Sequence, residues 1–98
     1  AFRLYLQGRF FWNKRNVESL KKSLVLYEQA LEKDAAYAMA YVGLADSYQL
    51  LGEYNGMPVK DAFEKSRAAA QKALEINPNL GEAYCSLGYT QAFYDWNW

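Results

Sequence analysis

The sequence predicts an all-helical fold assembled from repeated helix pairs, and three observations carry that prediction. Alanine occurs fourteen times, against six β-branched residues (Val17, Val25, Val42, Val59, Ile76 and Thr90). Helices favour the first set and strands the second. The strong breakers gather in two places, Gly52–Pro58 and Pro78–Gly81, which read as turns between long uninterrupted segments. Finally, the chain matches itself at an offset of 43 residues.

Five helical segments follow in order. The first covers Phe2–Trp12. The second starts after Asn16, an N-cap residue by type, with Glu18 in the first turn, and runs to about Lys33. Its apolar positions Leu20, Leu24, Tyr27 and Leu31 recur at the spacing of one helix face. The third covers about Ala36–Leu51 and is expected to stop at Gly52 as a C′ residue. The fourth opens with Pro58 as its first helical residue and ends near Ile76, before Asn77-Pro78. The fifth begins after Asn79, with Glu82 placed as in a capping box although the cap is Asn.

Composition narrows the functional classes. Apolar residues make up 52% and aromatics 17%, too rich for a disordered chain. Eleven basic residues balance eleven acidic ones, which opposes a general nucleic-acid footprint. Histidine is absent, which removes Ser–His and Cys–His nucleophile pairs and histidine zinc sites. A single cysteine allows no internal disulfide. The longest uncharged run, Ala83–Tyr94, has twelve residues and is too short to span a bilayer. No enzyme constellation, metal set or cofactor motif emerges, so no metal or cofactor is expected.

The self-match is ordered. Ala30-Leu31-Glu32 falls on Ala73-Leu74-Glu75, Ala40-Tyr41 on Ala83-Tyr84, and Leu44 on Leu87. Asp34 falls on Asn77 and Ser47 on Thr90. The set resembles the tetratricopeptide repeat, a helix–turn–helix unit with the pattern W-x2-L-G-x2-Y, A-x3-F and a terminal P. One unit offers Tyr41-x2-Leu44-Ala45-x2-Tyr48, then Ser66-x3-Ala70, Ala73 and Pro78. The next offers Tyr84-x2-Leu87-Gly88, and the preceding one Gly8-x2-Phe11, Ser23-x3-Tyr27 and Ala30, with Ala35 in the proline position. Residues 1–98 are thus expected to form one domain with units at about 1–35, 36–78 and an incomplete 79–98. Small residues at Gly8, Ala45 and Gly88 let helices approach closely, and large neighbours fill the space between. Since one helix pair cannot bury its apolar face alone, the units are expected to stack.

The resemblance implies a right-handed α-solenoid of antiparallel helix pairs, about two and a half units and five helices. The units exceed the usual 34 residues. The extra length is expected between the helices of the second unit, near Asn55–Phe63, which lengthens helix Pro58–Ile76 past the stack. With GRFFWNKR and FYDWNW, this extended form is similar to repeat arrays attached to bacterial signalling proteins, including cyclases, kinases and winged-helix regulators. A cytoplasmic location and a longer parent protein are the corresponding expectations.

In this family the first helix of each unit lines a ligand groove. Carried over by register, the groove candidates are Tyr5, Arg9 and Trp12, then Met39, Val42, Asp46, Gln49 and Leu50, then Cys85, Tyr89 and Phe93. The set is mostly apolar and aromatic, so the expected partner is a protein or peptide with a hydrophobic segment. Two alternatives stand beside this one. Residues 1–33 carry a net charge of +4 and residues 34–98 a net −4, and Trp12 with Phe10 and Phe11 could stack on bases, so a nucleic-acid-binding repeat is the first. A purely structural segment of a longer array is the second. Cys85 reads as a small buried apolar residue, Asp61 and Glu64 as an exposed helix face, and Gly52-x3-Gly56 as a turn without the phosphate-loop ending. Ala92–Trp98 contains four aromatics and one charge, so self-association through the C-terminal end is expected.

Overall fold

The computed structural model describes residues 2–54 and 56–81. They form four α-helices: α1 (Phe2–Trp12), α2 (Val17–Lys33), α3 (Ala38–Glu53) and α4 (Val59–Ile76). Among the described residues there is no strand. The fifth helix expected after Asn79 lies almost wholly outside them.

Each boundary has a local cause. Asn16 sits in extended backbone, and its Oδ1 accepts the Ser19 N–H at 2.8 Å, which caps α2. Pro58 turns out to be the N-cap of α4 rather than its first residue, and its carbonyl accepts the Ala62 N–H at 2.9 Å. The start of α3 moves from Ala36 to Ala38 because Asp34 captures the intervening backbone. Its carboxylate accepts from Ala36 N–H at 3.1 Å and its carbonyl from Tyr37 N–H at 3.1 Å.

The same turn recurs 43 residues later. Asn77 Oδ1 accepts from Asn79 N–H at 3.2 Å, and Asn77 carbonyl from Leu80 N–H at 3.1 Å. Asp34 and Asn77 have nearly equal dihedrals, φ −147°, ψ 92° and φ −137°, ψ 94°. At this turn the sequence self-match is therefore a match of backbone geometry too.

Gly52 does not end α3, correcting the expected C′ role. It lies inside the helix and has no positive φ. Smallness is what the site requires, since a Cβ there would stand 2.9 Å from Ala62 Cβ on α4. The extra length of the second unit is also displaced from its expected position. Helix α4 has 18 residues against 17 in α2, so it is hardly extended. Instead α3 runs eight residues past Ala45, to Glu53, while α1 ends at Trp12, four past the equivalent Gly8.

The helices in contact are α1 with α2, α2 with α3, α3 with α4, and α1 with α3. Tyr27 of α2 is the hub. It is fully buried, and its ring lies between two glycines on different helices. A Cβ on Gly8 would stand 2.6 Å from the ring, and one on Gly43 2.5 Å. These glycines are the only way α1 and α3 can close on a tyrosine at this distance. Next to it, Ala45, Ala69 and Ala70 bring α3 and α4 together. As the repeat pattern predicts, Ala45 faces α4, its carbonyl accepting from the Ser66 hydroxyl at 2.9 Å.

Three buried serines stitch this core. Ser23 donates to the Leu20 carbonyl at 2.6 Å, and Ser23 and Ser47 hydroxyls are 2.7 Å apart. With the Ser23 proton engaged, Ser47 is the donor between them. The link ties α2 to α3. Phe63, Leu20 and Leu51 complete the fully buried large side chains.

Candidate ligand-binding face

The structure brings together Tyr5 and Arg9 of α1 with Asp46 of α3. All three are near enough to the Tyr27 hydroxyl to act on it electrostatically. Burial raises the Tyr27 pKa well above the ordinary phenol range. Arg9 pulls it down, while Tyr5 and Asp46 push it up. The Tyr27 hydroxyl is buried with no hydrogen-bond partner among the described residues. The Tyr5 ring centroid lies 5.8 Å from that of Tyr27 and 5.6 Å from that of Tyr37, both tilted. These are ordinary aromatic packing distances.

Trp12 closes the end of α1. Its ring is covered by two guanidinium groups, Arg9 at 4.8 Å and Arg15 at 4.5 Å from the centroid. Arg15 reaches it from a left-handed backbone conformation, φ 56°, in the turn after α1. The Trp12 indole Nε1 is buried and has no partner among the described residues.

The remaining candidates divide. Met39 is half-buried against Val42 and Ala73, and Val42 itself is only 3% exposed. Val42 is therefore part of the α3–α4 packing rather than an open lining residue. Gln49 is also buried, at 8%, and Leu50 is half-buried. Positions on one helix stripe are alike in register, and register does not reveal which of them the neighbouring helix covers. Cys85, Tyr89, Phe93 and the aromatic segment Ala92–Trp98 lie outside the described residues. Asp61 and Glu64 are exposed on α4.

Sequence reasoning missed Gly43, Ser23 and Ser47 as the means by which the α1–α3 surface is held in place. Gly43 lies two residues before the motif alanine and offers no pattern signal of its own. Ser23 and Ser47 each occupied a repeat position but carried no indication that they would pair. No helix among the described residues is long and apolar enough to cross a membrane. No family model matches the chain, and no curated protein or solved structure matches it.

Proposed function

We propose that the chain is a non-catalytic scaffold that binds a protein or peptide segment on the face shared by α1 and α3. The helix pairs stack in this reading as a right-handed solenoid of tetratricopeptide-like units, belonging to a cytoplasmic signalling or regulatory protein of bacterial type. The observation that supports it is the contact of α1 with α3 around Tyr27, which packs on Tyr5 and feels the charges of Arg9 and Asp46. Such a face offers an apolar floor with one cation and one anion, which suits a peptide with an apolar side chain flanked by polar groups. Its rigidity comes from Tyr27 and its two glycines, so a ligand meets a preformed surface and little ordering is lost on binding.

The test is selection from a displayed peptide library by the wild-type chain and by Arg9→Ala and Leu50→Gln. Neither side chain is fully buried, so both variants should fold as the wild type does. The expected result is a recurring apolar motif whose binding both variants weaken. Recovery of the same peptides at the same affinity by both variants places the site elsewhere. Retention of RNA, released steeply by salt and weakened by Arg9→Ala, would instead favour the nucleic-acid reading.

A further inference from the structure

Phe2, Leu6 and Phe10 of α1 are 64%, 49% and 59% exposed. Spaced four apart, they run as one stripe along the helix. Placing Gly8 on Ala45 puts Leu6 on Gly43 and Phe10 on Ser47. In α3 those two positions receive a neighbouring helix. Gly43 lies against the Tyr27 ring of α2, and Ser47 bonds to Ser23 of α2. The exposed stripe on α1 therefore occupies the register at which this fold docks a helix.

We propose that this face binds an acidic amphipathic helix of a partner protein, laid along α1 as α2 lies along α3. The inference does not depend on the ligand face proposed above, which uses other residues. Charge argues for the acidic partner. Helix α1 contains Arg3 near the start of the stripe and no acidic residue. Lys14 stands 4.7 Å from the Phe10 ring centroid, and Lys22 5.6 Å from that of Phe11. Cations thus border the apolar stripe, where carboxylates on the flanks of a docked helix would meet them. Shape argues for a helix rather than a lipid surface. Phe10 packs edge-on against Phe11, with centroids 5.4 Å apart. Phe11, Lys22, Val25 and Leu26 line an open depression of about 280 Å³. A large apolar side chain projecting from a helix fills such a recess, whereas a bilayer has no use for one.

The probe is a labelled synthetic helix as long as α2, 17 residues, with leucine on one face and glutamate elsewhere. A second peptide replaces every glutamate by lysine. Fluorescence anisotropy should show binding of the acidic peptide and binding at least about tenfold weaker for the basic one. Leu6→Gln and Phe10→Gln should each weaken it by at least about tenfold, the loss expected when one large apolar side chain is no longer buried. Their circular dichroism should be unchanged because both side chains are exposed. Equal binding of the two peptides, or unchanged binding by both variants, overturns the proposal. So does capture of phosphatidylserine vesicles that Leu6→Gln abolishes, which assigns the face to a membrane. A self-association of the chain that Leu6→Gln disperses in sedimentation likewise overturns it, assigning the face to a second copy.

Discussion

Replacing Gly43 by alanine sets two physical effects against each other. Helix propensity alone favours the change by about 0.8–1 kcal/mol, because glycine is the poorest ordinary residue inside a helix. Packing opposes it. The new Cβ would stand 2.5 Å from Tyr27 Cε1 and Cζ, well inside van der Waals contact. The ring has little room to retreat, since Gly8 also lies against it: a Cβ there would be 2.6 Å from the same Cε1. Relief requires α3 to move off α2, or the ring to leave its rotamer, and overpacking of this kind costs roughly 1–3 kcal/mol. The expected outcome is a net loss of about 1 kcal/mol, or a Tm lower by roughly 4–8 °C for a chain of this size. Thermal and urea denaturation followed by circular dichroism measure it. The decisive comparison is Gly43→Ala in a Tyr27→Leu background, where the clashing ring atoms are gone. There the same substitution should be neutral or stabilising by up to about 1 kcal/mol. A rise in Tm for the single variant, or an equal loss in both backgrounds, would refute the wedge.

Other expectations follow from the same geometry. Ala35→Pro should stabilise by about 0.4–1 kcal/mol, because its turn copies the one that holds Pro78 and Asp34 already has the extended backbone a proline requires before it; a lower urea midpoint would contradict this. Burial, helped by Tyr5 and Asp46 and opposed by Arg9, raises Tyr27; burial with Tyr5 and Asp34 raises Tyr37, and burial with Glu28 raises Tyr48. Folding then favours the neutral phenols, so stability is held below the unfolded value near pH 10 and lost as pH climbs above it. A urea series across that range should show the fall, and Tyr27→Phe should flatten it while leaving stability at pH 7 equal or higher, since its hydroxyl is unbonded within the described residues. Ser23→Ala strands the Ser47 proton and should cost about 1–3 kcal/mol, with part of the loss recovered in Ser23→Ala/Ser47→Ala; strict additivity in the double-mutant cycle would show that the two hydroxyls do not interact.

The helices were legible because their signals are local. Asn16 marks the start of α2, Asn77-Pro78 the end of α4, and Leu20, Leu24, Tyr27 and Leu31 recur at the spacing of one face of α2. The limits of α3 were misread because they are decided by partners distant in the chain or by one side chain's choice. Gly52 looked like a terminator but serves as a contact for Ala62. Ala36 looked helical until Asp34 took its N–H. The candidate face divided for the same reason. Tyr5, Arg9 and Asp46 all lie near Tyr27, yet Val42 is claimed by Ala73, a neighbour that periodicity on α3 cannot reveal. Gly43 was invisible because its partner is a ring on another helix, and only the three-dimensional approach makes a missing methyl group meaningful.

The slot that holds Tyr27 bears on how the molecule comes apart. Three helices share a single ring, so none of them can loosen while the other two keep their order. Fraying of α1 uncovers the ring to water, and withdrawal of α3 removes its opposite wall. Among the described helices α4 contacts only α3, and it supplies neither of the glycines against the ring. Amide hydrogen exchange should therefore resolve two levels. Protons in the middles of α1, α2 and α3 should exchange with one common free energy, the signature of a cooperative unit. Those of α4 should exchange by a separate, lower-energy opening that leaves the other three helices protected.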